Sequence, residues 1–141
     1  MSALDALSIL LVEDNPRDAE LTLRAFAKSN LANNILVAHD GVEALEIVYG
    51  RTGAERPRVI LLDLKLPKLD GLEVLRQLKS DERTRAIPVV IVTSSNQDPD
   101  IKTAYDLGAN SYVVKPVDFE AFMKIMSQLG FYWLMVNQVT A

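Results

Sequence analysis

The sequence has no cysteine, which excludes disulfide staples and thiolate metal sites. A single histidine leaves a zinc site of the usual His/Cys type without ligands. No apolar run approaches the roughly 18 residues that span a bilayer. The opening stretch "MSALDALSIL" has no basic segment ahead of an apolar core, so neither a secretory signal nor a membrane anchor is expected, and the expected setting is the cytoplasm. Lysine and arginine are scattered, with a net charge of -4 and a pI near 5.0. Direct binding to nucleic acid is therefore not expected.

What remains is a chain of 141 residues, 49% hydrophobic and 24% charged, enough for one domain with a full core. Residues 1–129 are expected to form it, with 130–141 as an apolar C-terminal extension. Short aliphatic runs recur as "SILLV" (8–12), "NILVA" (34–38), "VILLD" (59–63), "PVVIVT" (88–93) and "SYVVK" (111–115). They are continuous rather than alternating, the pattern of parallel strands covered on both faces.

Helix signals lie between the runs. Asn15 before Pro16 and Asp98 before Pro99 read as an N-cap followed by a first-turn proline. Asp40 with Glu43, and Asp70 with Glu73, have capping-box spacing, and Gly108 reads as a helix end. Leu72, Leu75 and Leu78 share one helical face, as do Ala44, Leu45 and Val48. The alternation predicts an α/β fold, a doubly wound (βα)5 parallel sheet of flavodoxin-like type in the order 2-1-3-4-5. Strands one and three are then neighbours whose chains leave in opposite directions, and ligands bind in the crevice opened at their carboxyl ends.

The residues at that rim are Glu13 and Asp14 after strand one, Asp63 after strand three, Thr93 after strand four and Lys115 after strand five. Each has a bland reading alone, as a cap, a turn or a solvated strand end. Three carboxylates in one crevice repel, and a hard divalent cation with oxygen ligands relieves them, which points to Mg²⁺. Such an ion leaves positions for phosphoryl oxygens, to which Lys115 offers a charge and Thr93 a hydroxyl. Asp63, central in the sheet, is then the nucleophile that takes a phosphoryl group in line.

The motifs "LLVEDNP", "LLDLKLPKLDG", "VVIVTSS" and "LGANSYVVKP" make the chain resemble a response-regulator receiver domain of two-component signalling over residues 8–129. The resemblance implies Glu13, Asp14 and Asp63 as metal ligands with the Lys65 carbonyl, and Asp63 as the phosphorylation site. It implies Thr93 and Lys115 as phosphoryl-sensing residues, Tyr112 as the aromatic switch, and a cis Lys115–Pro116 peptide where sequence statistics alone favour trans. Ser94 is small, as phosphoryl access requires, while Lys65 and Ser95 occupy positions where members differ in dephosphorylation rate. Two charge-assisted hydrogen bonds supply about 3–6 kcal/mol, against about 5.5 kcal/mol for a swing from 1:99 to 99:1. The switched face is expected to be helix four, strand five and helix five.

Two other readings share features with this one. A haloacid-dehalogenase-type Mg²⁺ phosphatase also uses Asp, Thr or Ser, and Lys, but carries D-x-D after its first strand, where this chain has "ED". An inert receiver-like binding module ordinarily lacks the acceptor or an acidic ligand, and none is missing here. "GRTGAERP" (50–57) lacks the GK[ST] ending of a phosphate-binding loop, and His39 reads as a surface or capping residue.

About a dozen residues follow residue 129, too few for a DNA-binding domain, so a stand-alone regulator with a protein target is expected. If helix five continues into "GFYWLMVNQVTA", then Phe122, Met126, Leu129 and Trp133 form a stripe toward the domain, and Ile125, Tyr132, Met135 and Val139 a second on its flank. The tail and motif wording are most similar to the small regulators paired with phytochrome-type sensor kinases. That resemblance implies a homodimer through Tyr132, Trp133 and Met135, and a light-regulated histidine kinase as phosphodonor. Kinase contacts are expected around Pro16, Arg17 and Ala19 and at Pro116 and Val117, from position alone.

Overall fold

The computed structural model describes residues 8–28 and 34–136, with side chains as far as Leu134 at the C-terminal end. Among these residues the strands are β1 (Ile9–Val12), β2 (Ile35–Ala38), β3 (Val59–Leu62), β4 (Val89–Thr93) and β5 (Ser111–Val114). The α-helices are α1 (Pro16–Lys28), α2 (Gly41–Tyr49), α3 (Gly71–Ser80), α4 (Asp98–Asp106) and α5 (Phe119–Phe131). The strands are parallel in the order β2-β1-β3-β4-β5. This is the doubly wound arrangement that the aliphatic runs imply.

Burial explains why the runs are continuous. All residues of β1, β3 and β4 are buried, whereas β2 and β5, at the sheet edges, are mostly half-covered. Alternate strand residues feed two cores. Leu10, Val12, Ile60, Leu62 and Ile91 pack under α2, α3 and α4, and Ile9, Leu11, Leu61, Val90 and Val92 pack under α1 and α5. Both faces of the sheet therefore exclude water, and polar residues appear only where the strands end.

The caps follow the sequence with two differences. Asn15 Oδ1 accepts from the Arg17 and Asp18 amides at 2.9 and 3.2 Å, and Asp118 caps α5 at the Ala121 amide, 2.9 Å away. Asp40 and Asp70 accept from the amides of Glu43 and Glu73. Their glutamates do not complete the boxes: Glu43 accepts from the His39 amide, and Glu73 pairs with Arg76, a stronger partner than a backbone N–H. Asp98 is the first residue of α4 and Gln97 is its cap, with Pro99 in the first turn. Gly108, at φ 108°, turns the chain after α4 in a conformation that glycine adopts without strain.

α5 runs through residue 130 and ends in a π-helical turn, Tyr132–Val136. The stripe of Phe122, Met126 and Trp133 faces the core, with Leu129 packed against it. Trp133, expected at a dimer interface, is only 8% exposed and packs within its own domain. The added turn brings the indole beneath the sheet beside Leu134, whose carbonyl accepts from Arg58 at 3.1 Å. Tyr132 points outward and is 47% exposed. The Met135 side chain and Val139 lie outside the described residues. The Lys115–Pro116 peptide is trans, unlike the cis bond that the resemblance implies.

Candidate functional site

Strand register delivers the rim. Val12 pairs with Ala38 on one side and Leu62 on the other, and Thr93 pairs with Val114. The ladder extends one residue past three strand ends: Glu13 N donates to Ala38 O (2.9 Å), Asp63 N to Val12 O (3.1 Å) and Lys115 N to Thr93 O (2.8 Å). The backbones of an acid, the central aspartate and the lysine are thus held as firmly as the sheet itself. α3 closes on the same point, because Gly71 N donates to Leu64 O at 2.8 Å. A Cβ at Gly71 would lie 2.2 Å from Asp63 O, so only glycine permits that approach.

Glu13, Asp14 and Asp63 each present a carboxylate oxygen within 4.8 Å of the others. Glu13 and Asp63 are 4% and 7% exposed, while Asp14 faces solvent. Lys115 Nζ donates to Glu13 Oε1 at 2.6 Å, Asp63 Oδ2 at 2.8 Å and Asp18 Oδ2 at 2.9 Å. Burial pushes the Glu13 carboxyl up to about 7, against the opposing pull of Lys115. Burial also works against the Lys115 charge, but Asp63 and Glu13 outweigh it and hold the ammonium above its ordinary range. One ammonium facing four carboxylates leaves the crevice acidic. An all-oxygen donor set with surplus negative charge fits a hard divalent cation.

Thr93 is fully buried, and its Oγ1 accepts from the Ser95 amide at 3.5 Å. Ser95 is buried as well and donates to Asp100 Oδ2 on α4 at 2.5 Å. The Tyr112 hydroxyl donates to Ser95 O at 2.9 Å, with the ring half-buried against the core. The loop after Thr93 is thus tied to both α4 and β5. Lys65 donates its amide to Asp63 Oδ1 at 3.3 Å while its side chain lies in solvent. Arg17 and Val117 are exposed, but Ala19, expected at the kinase-facing surface, is buried in the α1 packing.

Glu13, Asp14, Asp63 and Lys115 come together as the sequence predicts, and Thr93 sits one strand away. Sequence reasoning missed Asp18 and the Ser95–Asp100 pair. Asp18 lies in the first turn of α1, and local pattern does not show that this turn faces Lys115. The open groove of about 850 Å³ between α1 and α5, lined by Phe119, Met123 and Lys124 among others, lies away from the acids.

Residues 9–127 match the family model described as the response regulator receiver domain. The chain belongs to this family. Among curated relatives of this receiver domain, the probable methanogenesis regulatory protein FilR2 of Methanothrix harundinacea is 44% identical over 140 residues, covering 98% of this chain and 90% of its own. The response regulator Rcp1 of Synechocystis is 34% identical over 129 residues, 89% and 88% of the two chains. Three solved structures superpose closely. Mn²⁺-bound Rcp1 does so with a TM-score of 0.88 at 33% identity, over 96% of this chain and 99% of its own. The phosphorylated cyanobacterial phytochrome response regulator RcpA gives 0.89 at 36% identity, with the same coverage. The bacteriophytochrome response regulator AtBRR gives 0.71 at 50% identity, over 94% of this chain and 99% of its own. This receiver is therefore similar in extent to small regulators, over nearly their full length.

Proposed function

We propose that the protein is a single-domain response regulator that accepts a phosphoryl group onto Asp63 from a sensor histidine kinase and thereby switches a protein-interaction surface. The observation that carries this reading is Lys115 Nζ at 2.8 Å from Asp63 Oδ2, at the edge of three converging carboxylates. A nucleophile, a fixed cation and a cation-binding donor set meet at one point. In the transfer, an Asp63 carboxylate oxygen attacks phosphorus and the P–N bond of the phosphohistidine breaks. The imidazole leaves with the electron pair, and Lys115 holds an equatorial oxygen. Glu13, Asp14, Asp63 and the Lys65 carbonyl would hold Mg²⁺, which when bound neutralises charge on the phosphoryl oxygens. Hydrolysis by water returns Asp63 and releases phosphate, so the chain's catalysis is limited to its own modification.

Thr93 reads the phosphoryl group in this scheme, and Tyr112 and α4 follow, because Ser95 joins them all. The output face is α4, β5 and α5. Mn²⁺ in Rcp1 and phosphorylation of RcpA support the cofactor class and the modification. The phytochrome regulators among the neighbours support a phytochrome-type kinase as donor, acting in the cytoplasm. Among the described residues, no helix is long and apolar enough to cross a membrane. A homodimer is proposed through Tyr132 and the Met135 turn rather than Trp133, since Phe131 and Tyr132 are 54% and 47% exposed side by side.

The test is phosphotransfer from an autophosphorylated phytochrome-type kinase, with Mg²⁺ and with a chelator. Transfer that needs both the metal and Asp63 is expected, and transfer to an Asp63→Asn variant would refute the assignment. Arg17→Glu should slow the kinase reaction while leaving acetyl phosphate as donor unaffected. Sedimentation velocity on Tyr132→Ser, with and without a beryllofluoride mimic, tests the dimer: a monomer is expected, and an unchanged dimer would exclude this face.

A further inference from the structure

An ammonium has three N–H bonds, and Lys115 commits all of them to carboxylates: Glu13, Asp63 and Asp18. To hold a phosphoryl oxygen, at least one must be released. Glu13 and Asp63 belong to the trio that converges as a cation site, and Asp63 gives up its carboxylate charge when it becomes an acyl phosphate. Asp18 belongs to neither the trio nor the acceptor. It is the one ionic partner of Lys115 that the reaction leaves unchanged.

We propose that Asp18 is a positioning residue that keeps the Lys115 ammonium aimed at the acceptor while Asp63 carries a phosphoryl group. The inference rests on the phosphoacceptor reading above. Two further observations support it. The Asp18 backbone is locked in the first turn of α1, its amide donating to Asn15 Oδ1 at 3.2 Å and its carbonyl accepting from Thr22 Oγ1 at 2.8 Å. A cavity of about 210 Å³, lined by Arg17, Asp18, Ser94, Lys115 and Val117 among others, opens beside the lysine. An untethered lysine, with four rotatable bonds, has that space to swing into, and the phosphoryl group would have to order it unaided.

The sign of the effect separates positioning from simple charge. Asp18 is an anion near an anionic ligand, so Coulomb repulsion alone predicts that removing it tightens binding of a phosphoryl mimic. Positioning predicts the reverse. The experiment measures beryllofluoride affinity in saturating Mg²⁺ for the full chain and for Asp18→Ala and Asp18→Asn. Asp18→Ala is expected to bind about tenfold more weakly, the lower end of what one charge-assisted hydrogen bond supports. Asp18→Asn keeps the acceptor oxygen without the charge and is expected to bind within about twofold of the parent, or more tightly. Equal or tighter binding by Asp18→Ala overturns the proposal.

A second readout does not depend on the alanine variant. The Lys115 side-chain ammonium, held by three carboxylates, should give a slowly exchanging NMR signal that persists in the mimic-bound parent and in Asp18→Asn. Loss of that signal in the mimic-bound parent would also overturn the proposal. Failure of the parent itself to bind beryllofluoride would instead count against the phosphoacceptor reading.

Discussion

Glu13 is where the chemistry of the site becomes measurable without a kinase. Its carboxyl, raised by burial to about 7, keeps a proton that a metal must displace. A raised carboxyl pKa means the folded, metal-free protein binds that proton more tightly than the unfolded chain does. Stability from this group therefore falls as pH rises from the ordinary glutamate range through 7, and cation affinity changes in the opposite direction. Titration calorimetry should show Mg²⁺ binding strongest above pH 7 and weakening below it, by up to about tenfold per pH unit, with proton release visible as a dependence on buffer ionisation enthalpy. Affinity independent of pH between about 5.5 and about 8, the range that brackets the raised Glu13 pKa, would contradict it. Glu13→Gln should abolish the dependence and raise the melting temperature of the metal-free protein at alkaline pH.

At the scale of elements, the site depends on how closely α3 meets β3. Gly71 has no Cβ where one would lie 2.2 Å from Asp63 O and 2.6 Å from Leu64 Cα. Both neighbours are backbone, so Gly71→Ala must push the helix from the strand end. A loss of about 1–3 kcal/mol in denaturant unfolding is expected, together with weaker beryllofluoride binding, because Asp63 shifts relative to Lys115. Unchanged stability and binding would mean that α3 is free to slide.

Such contacts mark the limit of what the sequence discloses. Strand runs, helix starts at Asn15, Asp40 and Asp70, and the rim acids were legible because each depends on local pattern and on a topology with few alternatives. The Asp18–Lys115 pair joins residues 97 positions apart and depends on which way the first turn of α1 faces. The half-formed capping boxes were illegible for another reason: Arg76 competes for Glu73, and pattern alone does not rank competitors.

For the whole molecule, the C-terminal turn is part of the domain before it can be anything else. Trp133 and Leu134 close the core under α1 and α5, and Arg58 fastens the turn at the Leu134 carbonyl. Trp133→Ala should cost about 3–5 kcal/mol, as large core truncations do. The same indole, the only tryptophan in the chain, should emit at short wavelength when folded and shift red on unfolding. A surface-like spectrum with full stability would place it outside the core. Truncation before the turn would therefore confuse folding with assembly, and the outward Tyr132 is the position at which to test dimerisation. The mixed outcome at the tail has a physical cause: an apolar stripe on a terminal helix reads alike in sequence whether its own domain or a second copy covers it.

The central claim is that Asp63 carries the phosphoryl group. Incubation with acetyl phosphate and Mg²⁺, trapping with borohydride and tandem mass spectrometry test it most directly, because reduction of an aspartyl phosphate leaves homoserine at the modified residue. The account predicts homoserine at residue 63, absent without Mg²⁺ and absent in Asp63→Asn. Conversion at Asp14 or another acid with residue 63 intact, or none at all in the presence of metal and donor, would contradict it.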